Sequence, residues 1–157
     1  MFEKRINLLQ NRRNFFTKIL TFTLAALSFP IKIHDVHATT ADVDTLVNAK
    51  LNGISAKIGK ITLDMPEVAE NGASVQFTIT VESPMTEQDY VKEIHLFTEG
   101  NVTPQVASYY LTPYSGKAQL TSRLRLARKQ YVRVLATMSD GSAYIAHREV
   151  TVAVGGC

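Results

Sequence analysis

The sequence contains no tryptophan and a single cysteine among its 157 residues. A lone cysteine cannot close an intramolecular bridge, so the fold must stand on buried apolar surface alone. The disulfide and tryptophan of an antibody-type core are likewise absent. Histidine is scarce: His34 and His37 lie near the start, which leaves His95 and His147 for the body of the chain. No cysteine, histidine and carboxylate cluster has zinc spacing, so no metal is expected. There is no C-x-x-C-H haem attachment site and no glycine-rich phosphate loop, so no cofactor is expected either. A serine, histidine and acid could be assembled from scattered positions, but a chain of this length always permits that. These absences point away from an enzyme.

Long apolar runs are also missing. The one run of note, residues 19–31, is about 13 residues long, shorter than the roughly 20 that cross a hydrocarbon core. It follows Lys4, Arg5, Arg12, Arg13 and Lys18 and precedes Val36-His37-Ala38. A basic opening, a short apolar stretch and a small-residue site make an export signal. Arg12 and Arg13, with Phe15 and Lys18 behind them, fit the twin-arginine pattern. That route carries folded proteins, so a periplasmic location is expected, with cleavage after Ala38 and no membrane attachment afterwards. Six of the 17 basic and two of the 14 acidic residues lie before residue 39, leaving 11 and 12. The mature chain is then close to neutral, and nothing in it argues for nucleic acid or an anionic membrane.

Four segments follow: the signal at 1–38, a helix within 39–57, a strand-rich domain at 58–154 and a terminal arm at 155–157. Val43, Leu46, Val47, Leu51 and Ile54 fall on one helical face. Thr40 is the expected cap and Asn52-Gly53 the expected stop. After that the period changes to two. Val75, Phe77, Ile79 and Val81 alternate with Gln76, Thr78, Thr80 and Glu82, and Ala118, Leu120, Leu124 and Leu126 alternate with Lys117, Gln119, Arg123 and Arg125. Further strands are expected near 58–64, 91–98, 105–111, 130–138 and 143–154, with Asp140-Gly141 as a hairpin turn. About seven short strands predict a mainly β protein, an immunoglobulin-like antiparallel β-sandwich with a short N-terminal helix and a flexible C-terminal arm. Arg123, Arg125, Arg128 and Lys129 read first as a solvated strand face, with an anion or partner surface as the alternative. Tyr109, Tyr110 and Tyr114 could serve core or interface packing.

The arm holds the one nucleophile. Gly155 and Gly156 precede Cys157, and glycine reaches backbone conformations closed to other residues. An exported odd cysteine is either an intermolecular link or a reactive group. Two glycines before it suit a thiolate that must enter pockets on other proteins.

The stretches "LDMPEVAENGASVQFTITVESPM", "YVKEIHLFTEGN", "LTPYSGKAQLTSRLRLA", "ATMSDGSAY" and "VTVAVGGC" together resemble the SoxY family, the sulfur-carrying subunits of periplasmic thiosulfate-oxidising systems. The resemblance implies an immunoglobulin-like sandwich that works as a heterodimer with a SoxZ subunit. It places the carried sulfur on Cys157. It implies a c-type cytochrome that couples thiosulfate to that thiol, a hydrolase that releases sulfate, and a molybdenum-haem sulfur dehydrogenase. The carrier itself would catalyse nothing. The family's tail reads Gly-Gly-Cys-Gly-Gly, whereas the sequence stops at Cys157, so a truncated sequence and a shorter tail both stay open. A carboxylate on the carrier residue would be expected to raise the thiol pKa and repel anionic thiosulfate. The alternatives are a periplasmic interaction module that uses Cys157 for an intermolecular disulfide, and a ubiquitin-like modifier. The latter needs a terminal glycine and a central helix, which this sequence does not offer.

Overall fold

The computed structural model describes residues 37–155. The expected export signal with Arg12 and Arg13, and Gly156 and Cys157 at the other end, lie outside the described residues.

Helix α1 spans Thr40–Leu51. Its cap is Thr39 rather than the expected Thr40. Thr39 Oγ1 accepts from the Asp42 amide at 3.3 Å, and the Asp42 carboxylate accepts the Thr39 amide at 2.8 Å. This reciprocal capping box satisfies two otherwise orphaned donors. Those hydrogen bonds hold the Asp42 carboxyl below its ordinary pKa. The helix stops at Asn52, whose left-handed backbone (φ 48°) lets its amide close on Asn48. Ile54 therefore falls past the helix and is exposed, although the spacing had put it on the apolar face. Val43, Val47 and Leu51 are buried, each worth about 1.5–3 kcal/mol.

Nine strands follow among the described residues: β1 (Ala56–Ile58), β2 (Ile61–Asp64), β3 (Val68–Asn71), β4 (Val75–Val81), β5 (Val91–Thr98), β6 (Gln105–Tyr110), β7 (Gln119–Leu124), β8 (Gln130–Met138) and β9 (Ala143–Val154). A 3-10 turn at Pro113–Ser115 separates β6 from β7. The expected strand at 58–64 is two strands. Gly59 and Lys60 both have positive φ, and this pair of left-handed residues passes the chain from one sheet to the other.

The larger sheet runs β1-β9-β8-β5-β6, with β3 also on β9, and the smaller runs β2-β4-β7. Ladders among β2, β4 and β7 and among β9, β8, β5 and β6 are antiparallel. The expectation of a purely antiparallel fold needs one correction, because β1 and β3 both pair with β9 in parallel. Neither joins β9 through a hairpin. The chain reaches each from far upstream in the sequence, which leaves the direction free. Val75, Phe77, Ile79 and Val81 of β4 pack inward against Ile94, Leu96, Val132 and Val134 of the facing sheet. The result is an immunoglobulin-like β-sandwich. Its larger sheet is covered on the other side as well, where α1 packs on Phe97, Leu135 and Ala143.

Candidate functional site

The expected arm follows β9, the longest strand among the described residues. Residues 143–150 of β9 pair with β8. Past Val150, β8 offers β9 no further partner. There β3 takes over, pairing Val68, Ala69 and Asn71 with Thr151, Val152 and Val154. The Thr151 amide donates to Glu67 O at 2.8 Å, and the Gly72 amide donates to Val154 O at 2.7 Å. The Gly72 carbonyl in turn accepts from the Leu126 amide at 2.8 Å. The strand is thus tied down to its last residue.

Gly155 comes next and lies against the loop between β7 and β8. A Cβ built at 155 would stand 2.4 Å from the Ala127 carbonyl oxygen. That loop is braced by one side chain. Asn101 Nδ2 donates to Arg125 O at 2.7 Å, and Asn101 Oδ1 accepts the Ala127 amide at 3.0 Å and Gln130 Nε2 at 3.0 Å. Gln130, buried at 5% exposure, also accepts the Gly100 amide at 2.8 Å through Oε1. In the sequence, Glu99-Gly100-Asn101 has the composition of a turn and nothing there shows this role of Asn101. An asparagine in a turn signals a side chain that bonds nearby backbone, but not which strand it reaches.

Beside this base lies an open groove of about 870 Å³, lined by Asn101, Val102, Val106, Arg125, Ala127 and Arg128 among others. Val102 is 63% exposed, and Arg125 and Arg128 are exposed as well. Arg125 and Arg128 make this partly apolar groove electropositive. Arg123 and Lys129 point elsewhere: Arg123 Nη1 bonds Ser74 Oγ on the outer face of the small sheet, and Lys129 pairs with Glu149. The basic run therefore divides between a solvated face and the groove.

The two histidines do not meet. His95 is fully buried on β5 between Ser108 and Glu93, and His147 sits edge-on to Tyr131 with ring centroids 5.7 Å apart. Tyr109 packs on the core, whereas Tyr110 and Tyr114 are exposed. Among the described residues, no group of three or more histidines, cysteines and carboxylates is placed to hold a metal, and no helix is long and apolar enough to cross a membrane.

A small immunoglobulin-like sandwich whose strand β9 is anchored as far as Val154 defines a rigid β-sandwich scaffold. The comparisons say which one. Residues 46–157 match the family model described as sulfur oxidation protein SoxY, and the chain belongs to that family. Among solved structures it is similar to the sulfur carrier protein SoxY from Chlorobium limicola f thiosulfatophilum, at 30% identity and a TM-score of 0.61, over 73% of this chain and 98% of that one. It is also similar to the superoxide reductase (neelaredoxin) from Ignicoccus hospitalis, at 14% identity and a TM-score of 0.54, over 77% and 98%. A third likeness is the superoxide reductase from Nanoarchaeum equitans, at 12% and 0.52, over 62% and 99%. The last two share the fold alone. No curated protein matches the chain.

Proposed function

We propose that this protein is a periplasmic sulfur carrier that holds thiosulfate-derived sulfur on Cys157 and presents it to partner oxidation enzymes. The observation that carries the reading is the SoxY family match, which extends through residue 157, together with a strand β9 anchored just ahead of that thiol. The chemistry asks little of the carrier. The Cys157 thiol and thiosulfate join through a new S–S bond to give an S-thiosulfonate, with loss of the thiol proton and two electrons. A c-type cytochrome takes the electrons. Water then cleaves the S–SO₃ bond on a partner hydrolase, which releases sulfate and leaves a persulfide on Cys157. A sulfur dehydrogenase oxidises that persulfide sulfur. The carrier contributes a nucleophile, a covalent tether and access. Arg125 and Arg128 beside the arm base favour the anionic adducts over neutral ones.

The twin-arginine signal sends the chain out already folded, as one half of a heterodimer with a SoxZ-like subunit. Arg12→Lys together with Arg13→Lys is expected to leave the protein in the cytoplasm, as fractionation would reveal.

The deciding experiment is intact-mass measurement after incubation with thiosulfate and the purified cytochrome. A thiosulfonate adduct is expected on the native chain and none on Cys157→Ser. Disulfide-linked dimer alone, with no sulfur adduct under turnover, sinks the carrier reading in favour of a structural intermolecular link.

A further inference from the structure

We propose that the arm is seated at its base: Gly155 rests on the Ala127 carbonyl of a loop braced by Asn101, and this seat fixes where the thiol leaves the sandwich. In its transfer readout the proposal rests on the carrier reading above. The seat itself is a matter of geometry.

Gly155 was expected to be glycine for freedom. Its φ is not among the positive values of the chain, so no left-handed backbone demands glycine there. Proximity does. A Cβ 2.4 Å from a backbone oxygen is a contact that real side chains do not make, so any other residue forces a movement. The loop is poorly placed to give way. Asn101 holds both Arg125 and Ala127 by their backbones, and Gln130 holds Asn101. Leu126, between them, donates to Gly72, and Gly72 donates to Val154. One connected set of hydrogen bonds therefore joins the end of β9, the turn after β3 and the β7–β8 loop. The chain end is the part that would move. Gly155 and Asn101 are then positioning residues, which act on the carried sulfur through where the arm starts.

The test compares Gly155→Ala, Gly156→Ala, Asn101→Ala and Asn101→Asp in the mature protein. The thiol is loaded with tetrathionate: the thiolate attacks an inner sulfur, forms the S-thiosulfonate and expels thiosulfate. Three measurements follow: amide exchange at Gly72, alkylation of Cys157 by iodoacetamide, and sulfate release by the partner hydrolase. Gly155→Ala is expected to speed Gly72 exchange and to raise the hydrolase KM. Unfixing about one backbone residue corresponds to about fivefold to thirtyfold. The kcat and the alkylation rate should stay within about twofold, because the thiol's own chemistry is untouched. Asn101→Ala should act in the same direction. Asn101→Asp keeps the acceptor for Ala127 and should recover part of the loss. Gly156→Ala should leave Gly72 exchange unchanged. Gly155→Ala with native exchange and native KM, or indistinguishable from Gly156→Ala, overturns the seat. If the loaded native protein releases no sulfate, the carrier reading falls, and Gly72 exchange alone decides the seat.

Discussion

His95 gives the sharpest test of the fold's polar interior. Its ring is 0% exposed, with Nδ1 2.7 Å from Ser108 Oγ and Nε2 2.9 Å from Glu93 Oε2. Gln105 Nε2 donates to the same serine oxygen at 2.8 Å. The Ser108 hydroxyl must then give its proton to Nδ1, and the Nε2 proton goes to Glu93. The neutral imidazole satisfies every member of this row. Burial pushes the His95 pKa below its ordinary value, the hydrogen bond to Glu93 opposes that shift, and the Lys50 charge adds to it. The unfolded chain takes up its proton near the reference value of about 6.5, and the folded protein only at lower pH. The stability that goes with the neutral ring is therefore complete above about pH 6.5, drains away as pH falls from there toward the folded pKa, and is fully lost below it. His95→Phe keeps a ring of similar size and removes the titration. Its cost at about pH 7.5 is two hydrogen bonds, of which Ser108 retains Gln105 and Glu93 can turn to water, so about 1–2 kcal/mol. Urea unfolding of both proteins at about pH 7.5 and about pH 5.5 should show the gap between them shrinking toward acid. Titrations of groups that do not touch His95 cancel in that difference, and Glu93 stays ionised across this pH range. A constant gap refutes the lowered pKa. A gap that widens in acid means that the Glu93 carboxylate outweighs burial and the imidazolium is the favoured form.

Two further predictions concern how α1 and its approach are held. Arg133 bonds Asp44 of α1 and pairs with Glu99, whose side chain is only 8% exposed and accepts from Thr40 Oγ1 at 2.9 Å. Arg133→Met should cost about 2–4 kcal/mol, because it leaves a nearly buried carboxylate without its cation. Adding Glu99→Gln should recover a good part of that in chemical denaturation, whereas a strictly additive pair means Glu99 never depended on Arg133. Ala38 is 5% exposed, and its amide donates to Asn101 O at 2.8 Å. A chain begun at Thr39 should therefore be about 1–2 kcal/mol less stable to urea than one begun at His37. Equal midpoints would show that the contact contributes nothing.

The parts of the fold that were legible in the sequence are those with a local period. In β4 each inward position, Val75 to Val81, is buried as its alternation required, and β5, β8 and β9 fall where they were expected. What stayed hidden depends on partners remote in the chain. Strand β3 has only Ala69 buried, too little to show a period of two, and it forms because β9 offers it an edge. Lys60 carries no sign that its backbone is left-handed, so β1 and β2 merged into one expected strand. Thr39 and Thr40 are equally good caps by type. Only the reach of Asp42 back to Thr39 decides between them. At the site, the glycines before Cys157 raise the expectation of an arm, of which only Gly155 is among the described residues. The reason for the first of them was hidden, because the oxygen that excludes a side chain at 155 belongs to Ala127, a residue distant in sequence.

The unanticipated strand is also the one that matters most for the arm. Chain termini fray unless something ties them down. If β9 were held by β8 alone, its last paired residue would be Val150. Seven residues would then hang free, reaching about 25 Å at about 3.3–3.6 Å per residue. With β3 paired as far as Val154 and Gly155 against Ala127, Cys157 is two residues along the chain from the seat, a span of at most about 7 Å. The effective concentration of a tethered group falls as about the −3/2 power of tether length, or more steeply. Cutting the tether to under a third therefore concentrates the thiol about sixfold or more in the space it samples. A short, braced tether gives up reach. On the proposed carrier reading, a partner enzyme must come up to the end of the sandwich to meet Cys157. The β3 turn, the Ala127 loop and the Arg125–Arg128 groove then lie within its footprint, so substitutions there should alter transfer before they alter stability.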